Sequence, residues 1–171
     1  MPTDEYNKLV MQLIEEVRGH EFPPRFAPEK WEWNRSQCYG YCLNAYGVQL
    51  GKFGIVLPGF LTQKINPMTI VSLTDIICGF ADDVEKLGGE LIPCENQFAP
   101  PREDGYKVAI YISEQLNDLH FRRQDADGGW SEKPGWFGEI RRVPKEELNW
   151  YYDSYDNIRY RLLSYVEIVK K

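Results

Sequence analysis

The spacing of apolar residues predicts two long helices in the N-terminal half of the chain. Thr3-Asp4-Glu5 provides capping and acidic residues at the start of the first, and Gly19 ends it. The second covers residues 69–87, with Ser72 or Thr74 as its cap. Between them, a short helix is expected to begin at Cys38. The apolar positions on which these helices are predicted are Leu9, Met11, Leu13, Ile14 and Val17 in the first, and Ile76, Ile77, Phe80, Val84 and Leu87 in the second.

The pattern changes to that of strands in the C-terminal half. Residues 106–113 are nearly continuous in apolar and β-branched side chains, which predicts a central strand. Residues 116–124 predict a second strand, and a turn at 125–129 leads to a third that starts at Trp130. The alternation over 158–169 predicts the last strand.

The remaining segments are punctuated by proline and glycine. A short edge strand is expected at 91–93, because Pro93 cannot lie in a central strand. Residues 20–32, 51–68 and 133–149 are expected to be irregular or loops. Helices that precede an antiparallel sheet make an α+β chain.

Composition limits the class of protein. Hydrophobic residues make up 43% of the 171 residues, typical of a globular chain, and we expect one domain over 1–171. The net charge of −6 argues against a broad nucleic-acid-binding surface. Neither a membrane-spanning apolar run nor a secretory signal is evident, so we expect a cytoplasmic protein with reduced thiols.

Cys38 is the first candidate for chemistry. A helix N-terminus lowers the pKa of a thiol, and the thiolate is the reactive form. The alternative is a buried cysteine that acts as a small hydrophobic residue. Cys38 and Cys42 lack the second pair of a zinc site, so no metal or cofactor is predicted.

His120 is the candidate general base. Across the 125–129 turn, Glu132 runs back antiparallel beside it and can orient the ring. We expect the Cys38 sulfur to lie within or close to hydrogen-bonding reach of His120. The alternative is a histidine with a purely structural role. Asp125 and Asp127 are most simply turn formers, and the 125–129 loop lacks the later glutamate of a calcium loop.

Two blocks carry a resemblance. Cys38-Tyr39-Gly40-Tyr41 is similar to the Cys-Ser-Gly-aromatic motif of papain-like cysteine amidohydrolases, most of all their bacterial cell-wall endopeptidase and amidase branch. The block over 120–135 resembles one in uncharacterised bacterial and phage proteins, which ends Trp-Ser-His-Lys-Pro-Gly. The resemblance covers about residues 30–135 and implies a papain-like fold, with a peptide or amide as substrate.

The resemblance assigns Cys38 as nucleophile, His120 as base and Glu132 as orienting residue, where the pattern more often has histidine. Gln37 stands where the family usually has an acidic residue. Asn34 and the Cys38 backbone N–H are the expected oxyanion donors. Further expected substrate-binding residues, for which core packing is the alternative, are Gln37, Tyr39 and Trp130.

Two functions remain open from the sequence. The first is a thiol hydrolase that cleaves a peptide, isopeptide or other amide bond. The second is a non-catalytic module on the same scaffold that binds a host protein or a small ligand. Neither involves nucleic acid or membrane.

Overall fold

The computed structural model describes residues 3–32, 36–46, 50, 56–62, 72–94, 97–135 and 138–171. Within them the chain is α+β, with seven antiparallel strands in one sheet. The helices are α1 (Thr3–Arg18), α2 (Cys38–Cys42) and α3 (Leu73–Lys86). The strands are β1 (Gly89–Pro93), β2 (Gly105–Ser113), β3 (Leu119–Gln124), β4 (Trp130–Glu132), β5 (Arg141–Val143), β6 (Trp150–Asp153) and β7 (Ile158–Lys170). Short 3₁₀ turns occur at Pro28–Lys30 and Lys145–Glu147.

The sheet order is β1-β7-β2-β3-β4-β5, and β6 pairs with the first part of β7. The predicted central strand is therefore central, and the predicted edge strand, β1, pairs with β7 alone. Ser72 accepts a hydrogen bond from the Asp75 N–H at 3.1 Å, which confirms it as the cap of α3.

One expectation for the irregular segments is wrong. Residues 133–149 contain β5 and a 3₁₀ turn, and β6 follows directly. These strands are only three and four residues long, so they show too little alternation to be recognised. Most of the loop expected at 51–68 lies outside the described residues.

The sheet has an apolar cluster on each face. The helix-side cluster contains Cys38, Leu119 and Phe121 among its buried residues, packed with α1, α2 and α3. The far-side cluster contains Tyr111, Trp130, Leu148, Tyr151 and Tyr160. Because successive strand residues point to opposite faces, β3 contributes alternately to the two clusters.

Adjacent arginines in β3 make this alternation visible. Arg122 lies over the Tyr111 ring of the far-side cluster, with its guanidinium carbon 5.0 Å from the ring centroid. Arg123 lies over the Tyr41 ring on the helix side, at 3.9 Å, and donates to the Tyr41 carbonyl. Both side chains are buried, so each face holds one guanidinium inside the protein.

A buried carboxylate ties α3 to the segment before it. Asp83 accepts hydrogen bonds from the Tyr39 hydroxyl at 2.5 Å, the Gly59 N–H at 2.7 Å and the Leu61 N–H at 3.1 Å. Burial raises the pKa of Asp83 to about 7, against the effect of these three donors. Asp83 thus satisfies three polar groups that would otherwise be buried without partners.

We expect Asp83→Asn to lower the free energy of unfolding by about 1–3 kcal/mol, because an amide offers one oxygen and leaves a buried donor without an acceptor. Urea denaturation measures the loss. Glu90→Gln, an equal change of charge at an exposed position of β1, should have little effect. Equal midpoints for Asp83→Asn and the wild type would contradict the expectation.

Among the described residues, no helix has the length and apolar character needed to span a membrane.

Candidate active site

Cys38 begins α2, and its sulfur lies against the backbone of β3. The thiol donates to the Leu119 carbonyl oxygen at 3.9 Å, a weak contact. The backbone N–H of Phe121 favours the thiolate form of Cys38. The sulfur therefore lies against the segment of β3 that contains His120.

The His120 ring is on the far side of β3. It stacks on Tyr151, with ring centroids 3.7 Å apart and planes at 14°. Within the described part of the chain, no hydrogen bond joins the Cys38 sulfur to His120; the sulfur's hydrogen-bond partner is Leu119. The two residues share a strand segment without a hydrogen bond between them.

Glu132 holds the His120 ring as the hairpin spacing predicts. Its Oε1 lies 2.6 Å from His120 Nε2. The β3–β4 register, which pairs Arg123 with Ser131, brings residue 132 beside this part of β3. Because Glu132 bonds to Nε2, Nδ1 is the ring nitrogen that could bond to a different group.

Two arginines complete the environment of Glu132. Arg122 donates through Nε to Oε1 at 2.9 Å, and Arg141 Nη2 lies 2.6 Å from Oε2. Both Glu132 and Arg122 are buried. Burial works to raise the pKa of Glu132, but the hydrogen bonds and charges of His120 and Arg122 outweigh it and lower that pKa to about 2.

Burial acts in the opposite direction on the pKa of His120, the candidate base. It lowers the pKa of His120, although the Glu132 carboxylate opposes that shift. A neutral imidazole that donates from Nε2 to Glu132 keeps an unprotonated Nδ1. His120 is thus held in a form that can accept a proton.

The predicted lowering of the Cys38 pKa is wrong. Burial, followed by the negative charge of Asp118, raises the pKa of the thiol to about 12. The side chain is only 5% exposed, and α2 is five residues long. Loss of solvation therefore outweighs the backbone N–H groups that favour the thiolate.

The other predicted site residues have mainly structural contacts. Tyr39 and Trp130 are buried in the helix-side and far-side clusters, so neither lines a groove. The Gln37 amide donates to the Val56 carbonyl. Asn34 lies outside the described residues.

The aspartates of the 125–129 turn also have structural partners. Asp125 pairs with Arg123 at 2.9 Å, and Asp127 pairs with Arg142 at 2.6 Å. Asp127 also accepts from the Gly129 N–H at 3.0 Å, as expected of a turn former. Neither contacts His120 by a hydrogen bond.

Several site residues were not predicted. Arg122 follows His120 at strand spacing, and this was the signal that could have identified it. Lys133, which comes directly after Glu132, is buried, and burial lowers its pKa to about 8. Tyr151 arrives from β6, which had no sequence signal.

Among the described residues, no group of three or more His, Cys, Asp and Glu side chains could hold a metal ion. No protein-family model matches the chain, and no curated protein sequence matches it significantly.

The environments of the four free cysteines predict their order of alkylation. Cys78 is exposed and Cys94 is half-buried, whereas Cys38 and Cys42 are buried. We expect iodoacetamide to modify Cys78 and Cys94 first under native conditions, because reaction requires an accessible thiolate. Peptide mapping by mass spectrometry gives the order. Fast modification of Cys38 at neutral pH would contradict the raised pKa.

Glu132 should make stability sensitive to acid. Its folded pKa of about 2 lies below its ordinary value of 4.5, so its stabilising contribution is complete above about pH 4.5 and is lost as the pH falls towards 2. We expect Glu132→Gln to cost about 3–5 kcal/mol near neutral pH, because the buried Arg122 loses its counter-charge.

Melting temperatures from pH 7 to 3 provide the measurement. The difference between Glu132→Gln and the wild type should shrink as the pH falls. Glu139→Gln, at an exposed position, is the matched control. A difference that is constant with pH would mean that the pKa of Glu132 is the same in the folded and the unfolded protein, and would contradict its lowering to about 2.

Proposed function

We propose that the protein is a papain-like thiol hydrolase that cleaves a peptide, isopeptide or other amide bond. The observation that carries the proposal is the buried His120–Glu132 hydrogen bond of 2.6 Å, on the strand segment that contacts the Cys38 sulfur. A thiol at a helix start, a histidine on a strand and an orienting residue across a hairpin are the parts that this chemistry needs.

The mechanism uses a neutral pair at rest. Because burial raises the pKa of Cys38 and lowers that of His120, the resting forms are thiol and imidazole. During attack on the carbonyl carbon, the thiol proton passes to His120 Nδ1 as the carbon–sulfur bond forms. Glu132 stabilises the resulting imidazolium through Nε2.

The second half of the reaction returns the proton. His120 protonates the leaving amine as the carbon–nitrogen bond breaks, and a thioester remains on Cys38. A water molecule, deprotonated by His120, then releases the acid and restores the thiol. The sulfur and the His120 ring lie on opposite sides of β3, so the first step requires a rearrangement on substrate binding that brings the sulfur and Nδ1 together.

A binding module is the second candidate function. The burial of Cys38 and the pKa of about 12 for its thiol favour this alternative, because a binder needs no accessible thiolate. In that case the His120–Glu132–Arg122 cluster has a purely structural role.

We expect Cys38→Ala and His120→Ala each to reduce amide hydrolysis by several orders of magnitude, and the double variant to be little worse than either, because the two residues act as a unit. Turnover of a panel of peptide and peptidoglycan-fragment amides is measured beside thermal melts. Cys42→Ala, one turn further along the same helix and also buried, is the matched control.

Two results would favour the binding module instead. One is full biological activity of Cys38→Ala with a normal melt. The other is equal loss of turnover in Cys38→Ala and Cys42→Ala, which would indicate damage to packing.

A further inference from the structure

A groove of about 920 Å³ lies where β6 pairs with β7. Trp150 and Tyr152 are 51% and 41% exposed on β6. The register places them opposite Arg161 and Arg159 of β7, and residues directly opposite each other share a face of the sheet. We call this surface the aromatic–arginine groove; the residues that line it include Glu114, Trp150, Tyr152, Arg159 and Arg161.

The groove adjoins the candidate active site through two tyrosines. Tyr151 and Tyr160 also line it, and Tyr151 stacks on His120. The Tyr160 hydroxyl donates to Asp118 at 2.6 Å, and the charge of Asp118 acts on Cys38. Because neighbouring strand residues point to opposite faces, the rings of Tyr151 and Tyr160 lie on the His120 face of β6 and β7, and Trp150, Tyr152, Arg159 and Arg161 point to the opposite face.

An exposed segment leads from the groove towards Cys38. Residues 114–118, the turn between β2 and β3, are exposed from Glu114 at the groove to Asp118. Across the sheet, Arg161 pairs with Ile112, and Ile112 pairs with Leu119. Since neighbouring strands lie about 4.8 Å apart, Trp150 is about 14 Å from Leu119, a length that about four extended residues span.

The charges of the groove select an anionic ligand. Arg159 and Arg161 make no ion pair within the described part of the chain, whereas Arg25, Arg102, Arg141 and Arg142 are all paired with carboxylates. Two residues apart on one strand, the two guanidinium groups are spaced by about 7 Å. Alternate side chains of an extended peptide have this same spacing.

We infer that the aromatic–arginine groove binds an acidic stretch of an extended peptide, with carboxylates at alternate positions on Arg159 and Arg161 and apolar groups on Trp150 and Tyr152. The inference rests on the proposed function, for which it names the substrate class. Asp118 repels acid near Cys38, so the acidic residues lie about four residues from the bond to be cleaved. Glu114 and the net charge of −6 disfavour a nucleic acid, which carries a charge on every nucleotide, more than a peptide that places carboxylates only at Arg159 and Arg161.

Binding is tested with the full chain carrying Cys38→Ala, so that no peptide is cleaved. Fluorescence anisotropy compares labelled peptides of alternating Glu and Ala with the Gln/Ala and Lys/Ala versions, and with oligouridylate. Arg161→Glu and Trp150→Ala are made on this background. Their matched controls are Lys8→Glu on α1 and Tyr155→Ala, both at exposed positions that do not line the groove.

We expect the Glu/Ala peptide to bind at least about tenfold more tightly than the other probes, and Arg161→Glu or Trp150→Ala to weaken it by about tenfold, as is usual when an Arg or Trp anchor is lost. The controls should change affinity less than about twofold. Equal affinity for the Gln/Ala peptide, tighter binding of oligouridylate, or no effect of Arg161→Glu with a normal melt would overturn the inference.

The experiments distinguish an incorrect peptide-binding inference from an incorrect hydrolase proposal. An acidic peptide that binds but is not cleaved by the unmodified chain supports the groove and counts against the hydrolase. Amide turnover that is the same for Glu/Ala and Gln/Ala substrates, and unchanged by Arg161→Glu, supports the hydrolase and overturns the groove.

Discussion

Glu132 is an ionised carboxylate with no exposed surface, and much of the C-terminal half is arranged around it. A charge removed from water must be neutralised by close partners. Here His120, Arg122 and Arg141 surround it at 2.6–2.9 Å. These partners come from β3 and β5, the two neighbours of β4, so the electrostatic requirement and the strand order are satisfied together.

Arg122 extends the same constraint beyond the sheet edge. It donates to the Glu147 carbonyl at 2.7 Å and the Trp150 carbonyl at 2.9 Å. These bonds hold the start of β6 over β3, which brings Tyr151 onto the His120 ring. The pairing of one carboxylate thus determines both the tautomer of the histidine and the aromatic surface that covers it.

The limits of prediction follow from the range of each interaction. The contact between Glu132 and His120 could be predicted because a short turn sets the register of a hairpin. The α3 cap and the edge position of β1 were likewise local features of sequence. The placement of Tyr151 could not be, because β6 is only four residues long and its start is held over β3 by Arg122, which lies 28 residues earlier in the chain. The prediction of a lowered pKa for Cys38 was wrong for a related reason. The start of a helix can be recognised in the local sequence, whereas the burial that raises this pKa is a property of the whole fold.

The neighbours Arg122 and Arg123, which serve opposite faces of the sheet, restrict how this chain can change in length. Deleting one residue from β3 would turn the side chains of the strand to the opposite faces of the sheet. Arg122 would then point away from Glu132, and Arg123 away from Asp125. Substitution of one arginine removes one ion pair, but a deletion within β3 removes both ion pairs at once. Variation in length between relatives should therefore be confined to the turns at either end of the strand, and be absent from the six residues between them.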